Sequence, residues 1–463
     1  MAELINLFDC VSPLDYRYYG RNKELLGELS KFFSENAKVS FQARIEAEYV
    51  RVLALQGIIP KDSASRIISA ALRVRPEDVY REEDRIKHDV RALVNCICDR
   101  IPEKDRAFVH LGLTSYDIVD TANALRFKEA TEKVILPRLK RLERSLIKLA
   151  LREKATVQIG RTHGQFAEPV TFGYTVAEFV ERLGNRIRAI ERAKDELNGK
   201  ASGAVGAANA ISLFASNPLA IEARLMERLG LKHSRHSTQI TPREPMLDLT
   251  HAIVSAFGVL ANLADDLRQL QRSEISEVFE SFGKNQVGSS TMPQKRNPIS
   301  FENIKSLWKA FMPRIITLYL DQISEHQRDL TNSASGRFTQ EIFTGLVVAA
   351  DRMNTAIQRL RVDRKKMKEN LEKAKSQLVA EPLYVLLAKH GHSYAHEKVR
   401  RLTLKAQKNK TSLLEEAKKS RSLAPFLKKF SAREKKLLEN PELYTGISEK
   451  KTKTICDYWA KKL

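Results

Sequence analysis

The chain has 463 residues, 43% hydrophobic and 29% charged, enough for two or three domains around a large core; its 19 glycines and 15 prolines exclude fibrous and disordered classes. There is no uncharged apolar run of about 18 residues to span a membrane, and the opening Met1-Ala2-Glu3-Leu4-Ile5-Asn6 lacks a secretory pattern. With Cys10, Cys96, Cys98 and Cys456 scattered, and Cys96 and Cys98 on different sides of a helix, the expectation is a reduced, cytoplasmic protein of net charge +22 without a metal site.

Along the chain, residues 1–112 read as a first helical domain. Pro137 suits the first turn of a helix that carries Leu139, Leu142, Leu146 and Leu149 on one stripe. Residues 155–173 have a different texture, with Gly160-Arg161-Thr162-His163-Gly164-Gln165 followed by Pro169 and Gly173. Val176, Phe179, Val180, Leu183, Ile187 and Ile190 then recur at helical spacing up to Gly199. A Gly/Ala/Ser/Asn-rich stretch over 199–217 precedes a third helical run through Leu249, Ile253, Phe257, Leu260, Leu267 and Leu270. The polar segment 281–298 is too long for a mere connector, and its prolines and asparagine specify turns. Two more helical runs follow, near 299–326 and 338–360.

From about 362 the helices shorten, with breaks at Pro382, Gly391, Pro425 and Pro441. Residues 361–463 hold 27 Lys/Arg against 12 Asp/Glu, so +15 of the charge lies in the last fifth of the chain. Such a surface is either a solvated helical face or a place for anions and nucleic acid, and no aromatic-interleaved basic motif supports the second. Helices of 20 residues or more, about 30 Å each, bury their stripes only against one another. Strand-like alternation is scarce. The fold class is therefore all-α: an N-terminal helical domain (1–112), a central long-helix bundle (113–361) and a basic C-terminal helical domain (362–463).

The polar segments carry no zinc spacing and no phosphate-binding Gly-Lys-Ser/Thr loop. They do carry His88-Asp89, His110, Thr114-Ser115, His163, Ser289-Ser290, Lys295, Arg328 and Arg337. Cations with a histidine and an activated serine suit a reaction that builds carboxylate-stabilised negative charge, such as proton removal beside a carboxylate.

The loop Gly288-Ser289-Ser290-Thr291-Met292-Pro293-Gln294-Lys295-Arg296-Asn297-Pro298 resembles the G-S-S-x-M-P-x-K-x-N-P signature of the fumarase/aspartase superfamily. Its flanks are similar to those of the adenylosuccinate lyase family. The similar segments are Ser12-Pro13-Leu14-Asp15-Tyr16-Arg17-Tyr18, Lys87-His88-Asp89-Val90, Leu113-Thr114-Ser115-Tyr116-Asp117-Ile118 and Arg161-Thr162-His163-Gly164-Gln165. Ser237-Thr238-Gln239-Ile240, Pro298-Ile299-Ser300-Phe301-Glu302-Asn303 and Gln327-Arg328-Asp329-Leu330-Thr331-Asn332-Ser333 continue the series in order. Gln294 departs from the family, where many members have histidine.

The resemblance implies β-elimination of fumarate from adenylosuccinate to leave AMP, and from the related succinylated carboxamide ribotide, without a cofactor. It makes Ser289 the base and His163 the general acid. It places Lys295 and Asn297 on the succinyl carboxylates, with Thr114, Ser115, Ser290 and Gln239 as donors beside them. His88 and His110 become binding or orienting groups, His88 next to the phosphate and Asp89 a substrate-binding neighbour, and Arg17, Tyr18, Arg328, Ser333 and Arg337 a clamp for phosphate and ribose. Arg243 is a weaker candidate, with a solvated-surface role as its alternative. Ser333 and Arg337, four apart, would share one side of a helical turn. Because these segments lie far apart along long helices, the resemblance also implies a homotetramer with sites shared between subunits. The alternatives are argininosuccinate lyase or another lyase of the superfamily, or a catalytically retired basic scaffold that binds nucleic acid.

Overall fold

A computed structural model describes residues 10–463 apart from 19, 284, 324, 325 and 327–330, so the clamp candidate Arg328 lies outside the described residues. The periodic apolar residues become the buried stripes of long helices. Leu139, Leu142, Leu146 and Leu149 line Leu136–Arg152, and Val176, Phe179, Val180, Leu183, Ile187 and Ile190 line Phe172–Asp195, all 3% exposed or less. Leu249, Ile253, Phe257, Leu260 and Leu267 do the same in Glu244–Leu270. That last helix is long and apolar enough to cross a membrane, yet 61% of its most apolar window is buried inside the protein, as in a core helix.

The chain divides into two compact units. The first comprises 1–140, 185–261 and 304–352. Its hub is helix Glu35–Leu55, packed by Lys23–Phe33, Lys61–Ala71, Ser115–Ala130 and Pro218–Leu229. Tyr49, fully buried, donates its hydroxyl to the Leu111 carbonyl at 2.8 Å. Phe33, Phe127 and Phe343 pack into one cluster, tilted or edge to face, with centroids 4.8–6.1 Å apart. The second unit comprises 141–184, 262–303 and 353–463. It holds the C-terminal core of Leu383, Leu387, Val399, Leu413, Leu423 and Phe430. A smaller cluster there joins Ile159 to Leu371, Ala374 and Leu378.

The all-α class holds, with three two-stranded sheets added among the described residues. Two helix boundaries differ from the sequence reading. Pro137 stands in the first turn of Leu136–Arg152 as expected, but that helix has no free start: Ser115–Ala130 runs on through a π turn, Thr131–Ile135, into it. Proline lacks the N–H and crowds the carbonyl four residues back; the widened turn accommodates it, with Leu136 N–H reaching the Thr131 carbonyl. The run near 299–326 is likewise broken, into Ile299–Phe311, a 3-10 turn Met312–Arg314 at Pro313, and Ile315–Leu320.

Candidate active site

In the second unit, the Arg161-Thr162-His163 segment is a β-hairpin rather than a loop. Val157–Thr162 pairs with Gln165–Thr171 in antiparallel register, Thr162 opposite Gln165. The connection is the two residues His163-Gly164, with φ of 54° and 74°. Two successive positive φ values are the signature of a type I′ turn, the tight connection that matches strand twist. Asparagine, aspartate or glycine is usual at the first position; a histidine there is held in a sparsely populated conformation and exposed at the tip. Behind the tip, the Arg161 guanidinium donates to the Glu277 carboxylate at 2.7 Å, and Glu277 is fully buried.

The signature loop is also held from below. The Asn297 amide donates to the Gly288 carbonyl at 3.1 Å, joining the two ends of the loop. Gly288 packs so closely that a Cβ there would lie 2.1 Å from the Lys295 carbonyl. Asn297 therefore closes the loop through its side chain. The Ser289 hydroxyl oxygen accepts the backbone N–H groups of Met292 at 3.0 Å and Thr291 at 3.3 Å. Donors aimed at that oxygen stabilise negative charge on it. Ser290 lies within 3.4 Å of the Thr291 hydroxyl, and the Lys295 side chain is exposed. Among the described residues no hydrogen bond joins His163 to Ser289.

The other described candidates lie in the first unit. His88 caps helix Asp89–Cys98: Nδ1 accepts the Arg91 N–H at 3.3 Å, so a neutral ring carries its proton on Nε2. Asp89 accepts the Val90 N–H at 2.7 Å. His110, at φ 59°, places Nδ1 2.6 Å from the carboxylate of fully buried Glu46. Burial opposes a charged ring there, but the charge and hydrogen bond of Glu46 outweigh it and hold the His110 pKa above its ordinary value.

Thr114 precedes helix Ser115–Ala130, where the Asp117 carboxylate takes the Thr114 N–H at 2.8 Å. The same carboxylate receives the Lys200 ammonium and the N–H groups of Ser202 and Gly203, at 3.0 and 3.1 Å. Lys200 and Asp117 are both shut away from solvent. Gln239 is half-buried in a turn pinned by the Ser202–Ser237 hydroxyl pair at 2.8 Å and by Thr241, whose N–H donates to Asp120 at 3.0 Å. Arg243 is not a solvated surface residue. It pairs with buried Asp120 at 3.1 Å and lines a cavity of about 100 Å³ with Thr241, Asn332 and Gly336.

Arg17 and Tyr18 end a π-type turn, Leu14–Tyr18, closed by the Tyr18 N–H on the Pro13 carbonyl at 3.2 Å. Arg337 is exposed within the 3-10 helix Ser335–Phe338, near enough for its charge to be felt by the Glu35 carboxylate and the Tyr80 hydroxyl. Ser333 lies in the turn before it. The shared helical face predicted for Ser333 and Arg337 is therefore absent. In a helix with about three residues per turn, a spacing of four puts side chains on different sides.

The family model described as lyase matches residues 16–310, and a second, described as adenylosuccinate lyase C-terminal, matches 324–434. The chain is 37% identical to the adenylosuccinate lyase of Pyrococcus horikoshii over 97% of its own length and 98% of that protein's. It is 33% identical to that of Archaeoglobus fulgidus, covering 96% and 98%. The chain belongs to the adenylosuccinate lyase family. It is thus an enzyme of the carbon–nitrogen lyase class, within the fumarase/aspartase superfamily. Solved structures share the fold: a fumarate lyase from Mesorhizobium sp. BNC1 with TM-score 0.81 (24% identity; 93% and 97% covered) and a 3-carboxy-cis,cis-muconate lactonizing enzyme from Pseudomonas putida with TM-score 0.80 (23%; 94% and 97%).

The family motifs contained Asp117 without giving it a role, and did not contain the other acids and the lysine that hold these segments: Glu46, Lys200, Glu277 and Glu280. Asp117 had a signal, since Thr114-x-x-Asp117 has capping-box spacing before a helix. Lys200 had a fainter one, a single cation in a run of small residues. Nothing local marked Glu46 or Glu277 as buried, because their partners are distant in sequence.

Proposed function

We propose that this chain eliminates fumarate from adenylosuccinate to give AMP in purine nucleotide biosynthesis, and that the same site cleaves the succinylated carboxamide ribotide. The observation that carries the reading is the signature loop, where the Ser289 oxygen accepts two backbone N–H groups and Asn297 closes the loop beside Lys295. Ser289 takes the Cβ proton of the succinyl group. A serine hydroxyl has little basicity, so its two backbone donors and the Lys295 charge hold the alkoxide that does so. The electron pair left on Cβ expels the purine nitrogen, and His163 delivers a proton to that nitrogen. Lys295 and Asn297 hold the carboxylate whose oxygens take the charge between the two steps, with Thr114, Ser115, Ser290 and Gln239 as further donors. Arg17, Tyr18, Arg328, Ser333 and Arg337 bind the phosphate and ribose, and His88, Asp89 and His110 orient the nucleotide.

We further propose a cytoplasmic homotetramer in which residues 113–361 form the shared bundle and each site draws on several chains. Support comes from the distribution of the candidates along the chain. The test is turnover of purified protein on adenylosuccinate, following AMP and fumarate by chromatography, with argininosuccinate in parallel. AMP and fumarate in equal amounts support the reading; cleavage of argininosuccinate alone overturns the phosphate clamp and keeps the chemistry. Silence on both from a folded oligomer leaves the basic scaffold as the reading, to be met with salt-dependent RNA binding.

A further inference from the structure

We infer that the segment Glu277–Glu280 is a strut that positions both the turn carrying His163 and the loop carrying Ser289, a conclusion that rests on the roles proposed for those two residues. At one end, Glu277 is fully buried and both its oxygens are used. One accepts Arg161 at 2.7 Å and Asn370 at 2.9 Å; the other accepts Gln158 at 2.7 Å and the second Arg161 nitrogen at 3.3 Å. Arg161 is two residues from His163, and the hairpin register shifts between Ile159 and Arg161. A bulge of this kind re-aims the side chain that follows it, here onto Glu277.

At the other end, Glu280, 6% exposed, accepts the N–H groups of Ser300 at 3.1 Å and Phe301 at 3.0 Å. These belong to the first turn of helix Ile299–Phe311, directly after the signature loop, where an anion meets unpaired N–H groups and the positive end of the helix dipole. Gln271 adds a second tie. Its side-chain oxygen takes the Glu280 N–H at 2.9 Å while its amide donates to the Arg296 carbonyl at 3.2 Å, inside the loop. The two residues between the acids, Val278 and Phe279, are paired with Val362 and Arg361, so the segment itself is fixed.

Stability alone does not explain this choice, because a buried ion pair stabilises no better than apolar packing of similar volume. What a bidentate, fully satisfied carboxylate supplies is geometry, and proton transfer loses rate steeply when its groups are misplaced by about 1 Å. Glu277 and Glu280 are positioning residues; neither touches the reacting atoms.

The test uses Glu277→Gln and Glu280→Gln in the full-length oligomer, with Arg161→Lys as the milder variant should Glu277→Gln not fold. Glu277→Gln should lower kcat on adenylosuccinate by about 10-fold or more while KM stays within about 3-fold. In a His163→Gln background it should add no further loss, since it acts through that residue. Glu280→Gln should behave the same way against Ser289→Ala. Additive losses in the double variants, or KM and kcat falling away together, overturn the inference. Hydrogen exchange separates it from the substrate assignment: Glu277→Gln should speed exchange in 157–171 and Glu280→Gln in 288–301, whatever the substrate. Unchanged protection in both segments overturns the strut, whereas absent wild-type turnover overturns the reading of the reaction alone.

Discussion

Ser289 and His163 are each a single side chain on a rigid support, and their loss should be felt in rate rather than in binding. Ser289→Ala removes the hydroxyl that the Met292 and Thr291 N–H groups face and leaves Lys295 and Asn297 in place. General-base steps contribute about 10²–10⁴-fold, so kcat should fall by that order with KM within about 3-fold. His163→Gln should do likewise without dissociating the oligomer; near-normal turnover of either variant removes that residue from the chemistry. The Lys200–Asp117 pair makes a different demand. Both are buried, and the Asp117 carboxylate also holds the Thr114, Ser202 and Gly203 N–H groups. Lys200→Met leaves an uncompensated carboxylate in the core, a change worth about 3–5 kcal/mol of lost stability. Adding Asp117→Asn should restore part of it, as urea unfolding of the single and double variants will show; equal losses in both would mean the charge pair is not the cause.

At the scale of elements, the helices were legible because their apolar residues repeat at three and four, and burial follows that repeat. The hairpin was not. It contains Gly160, Gly164 and Pro169, which read as loop punctuation, and its strands show no polar-apolar alternation. Tertiary partners decide it: Glu277 on one side and the Ile159, Leu371, Leu378 cluster on the other. The candidate residues themselves were legible through their motifs, whereas Glu46 and Glu277 meet His110 and Arg161 across 64 and 116 residues and leave no local pattern.

The C-terminal helix Ser448–Ala460 docks through Trp459, which is 1% exposed and donates its indole N–H to Glu181 at 2.7 Å. Its ring lies against Gly184, where a Cβ would come within 2.4 Å of ring atoms. Gly184→Ala sets two effects against each other: about 1 kcal/mol gained from helix propensity and about 1–3 kcal/mol lost to overpacking a rigid indole. The second should win, lowering the melting temperature; a rise would mean that Trp459 shifts freely.

Glu143 lies in the same unit, fully shielded, with both carboxylate oxygens unpartnered among the described residues. Burial, then the charge of Glu181, pushes its pKa up to about 9. The folded protein therefore holds a proton that the unfolded chain has released above the ordinary carboxylate range. The stability this gives is complete below that range and is lost as pH rises toward about 9, at roughly 1.4 kcal/mol per pH unit. Unfolding free energies at pH 6 and pH 8.5 should differ more in the wild type than in Glu143→Gln, by up to about 3 kcal/mol; parallel changes would show that Glu143 does not titrate there.

For the whole molecule, the decisive fact is how the candidates distribute. Arg17, Tyr18, His88, His110, Thr114, Ser115, Gln239, Ser333 and Arg337 fall in the first compact unit, and His163, Ser289, Lys295 and Asn297 in the second. His163 and Ser289 sit on separate frames, a hairpin tip and a closed loop, with no hydrogen bond between them among the described residues. If each site takes its acid and its base from different copies of the chain, two inactive variants can repair one another. Mixing Ser289→Ala and His163→Gln subunits in equal amounts, by joint refolding, gives each site an intact serine half the time and an intact histidine half the time. About one quarter of wild-type activity should then return. A site built within one chain predicts none, because every chain in the mixture lacks one of the two groups. Recovery well above background thus establishes shared sites without a structure of the assembly, and its size reports whether subunits exchange at random. No recovery, in a mixture shown by size and mass to contain hybrid oligomers, places acid and base on one chain and removes the functional argument for an obligate oligomer.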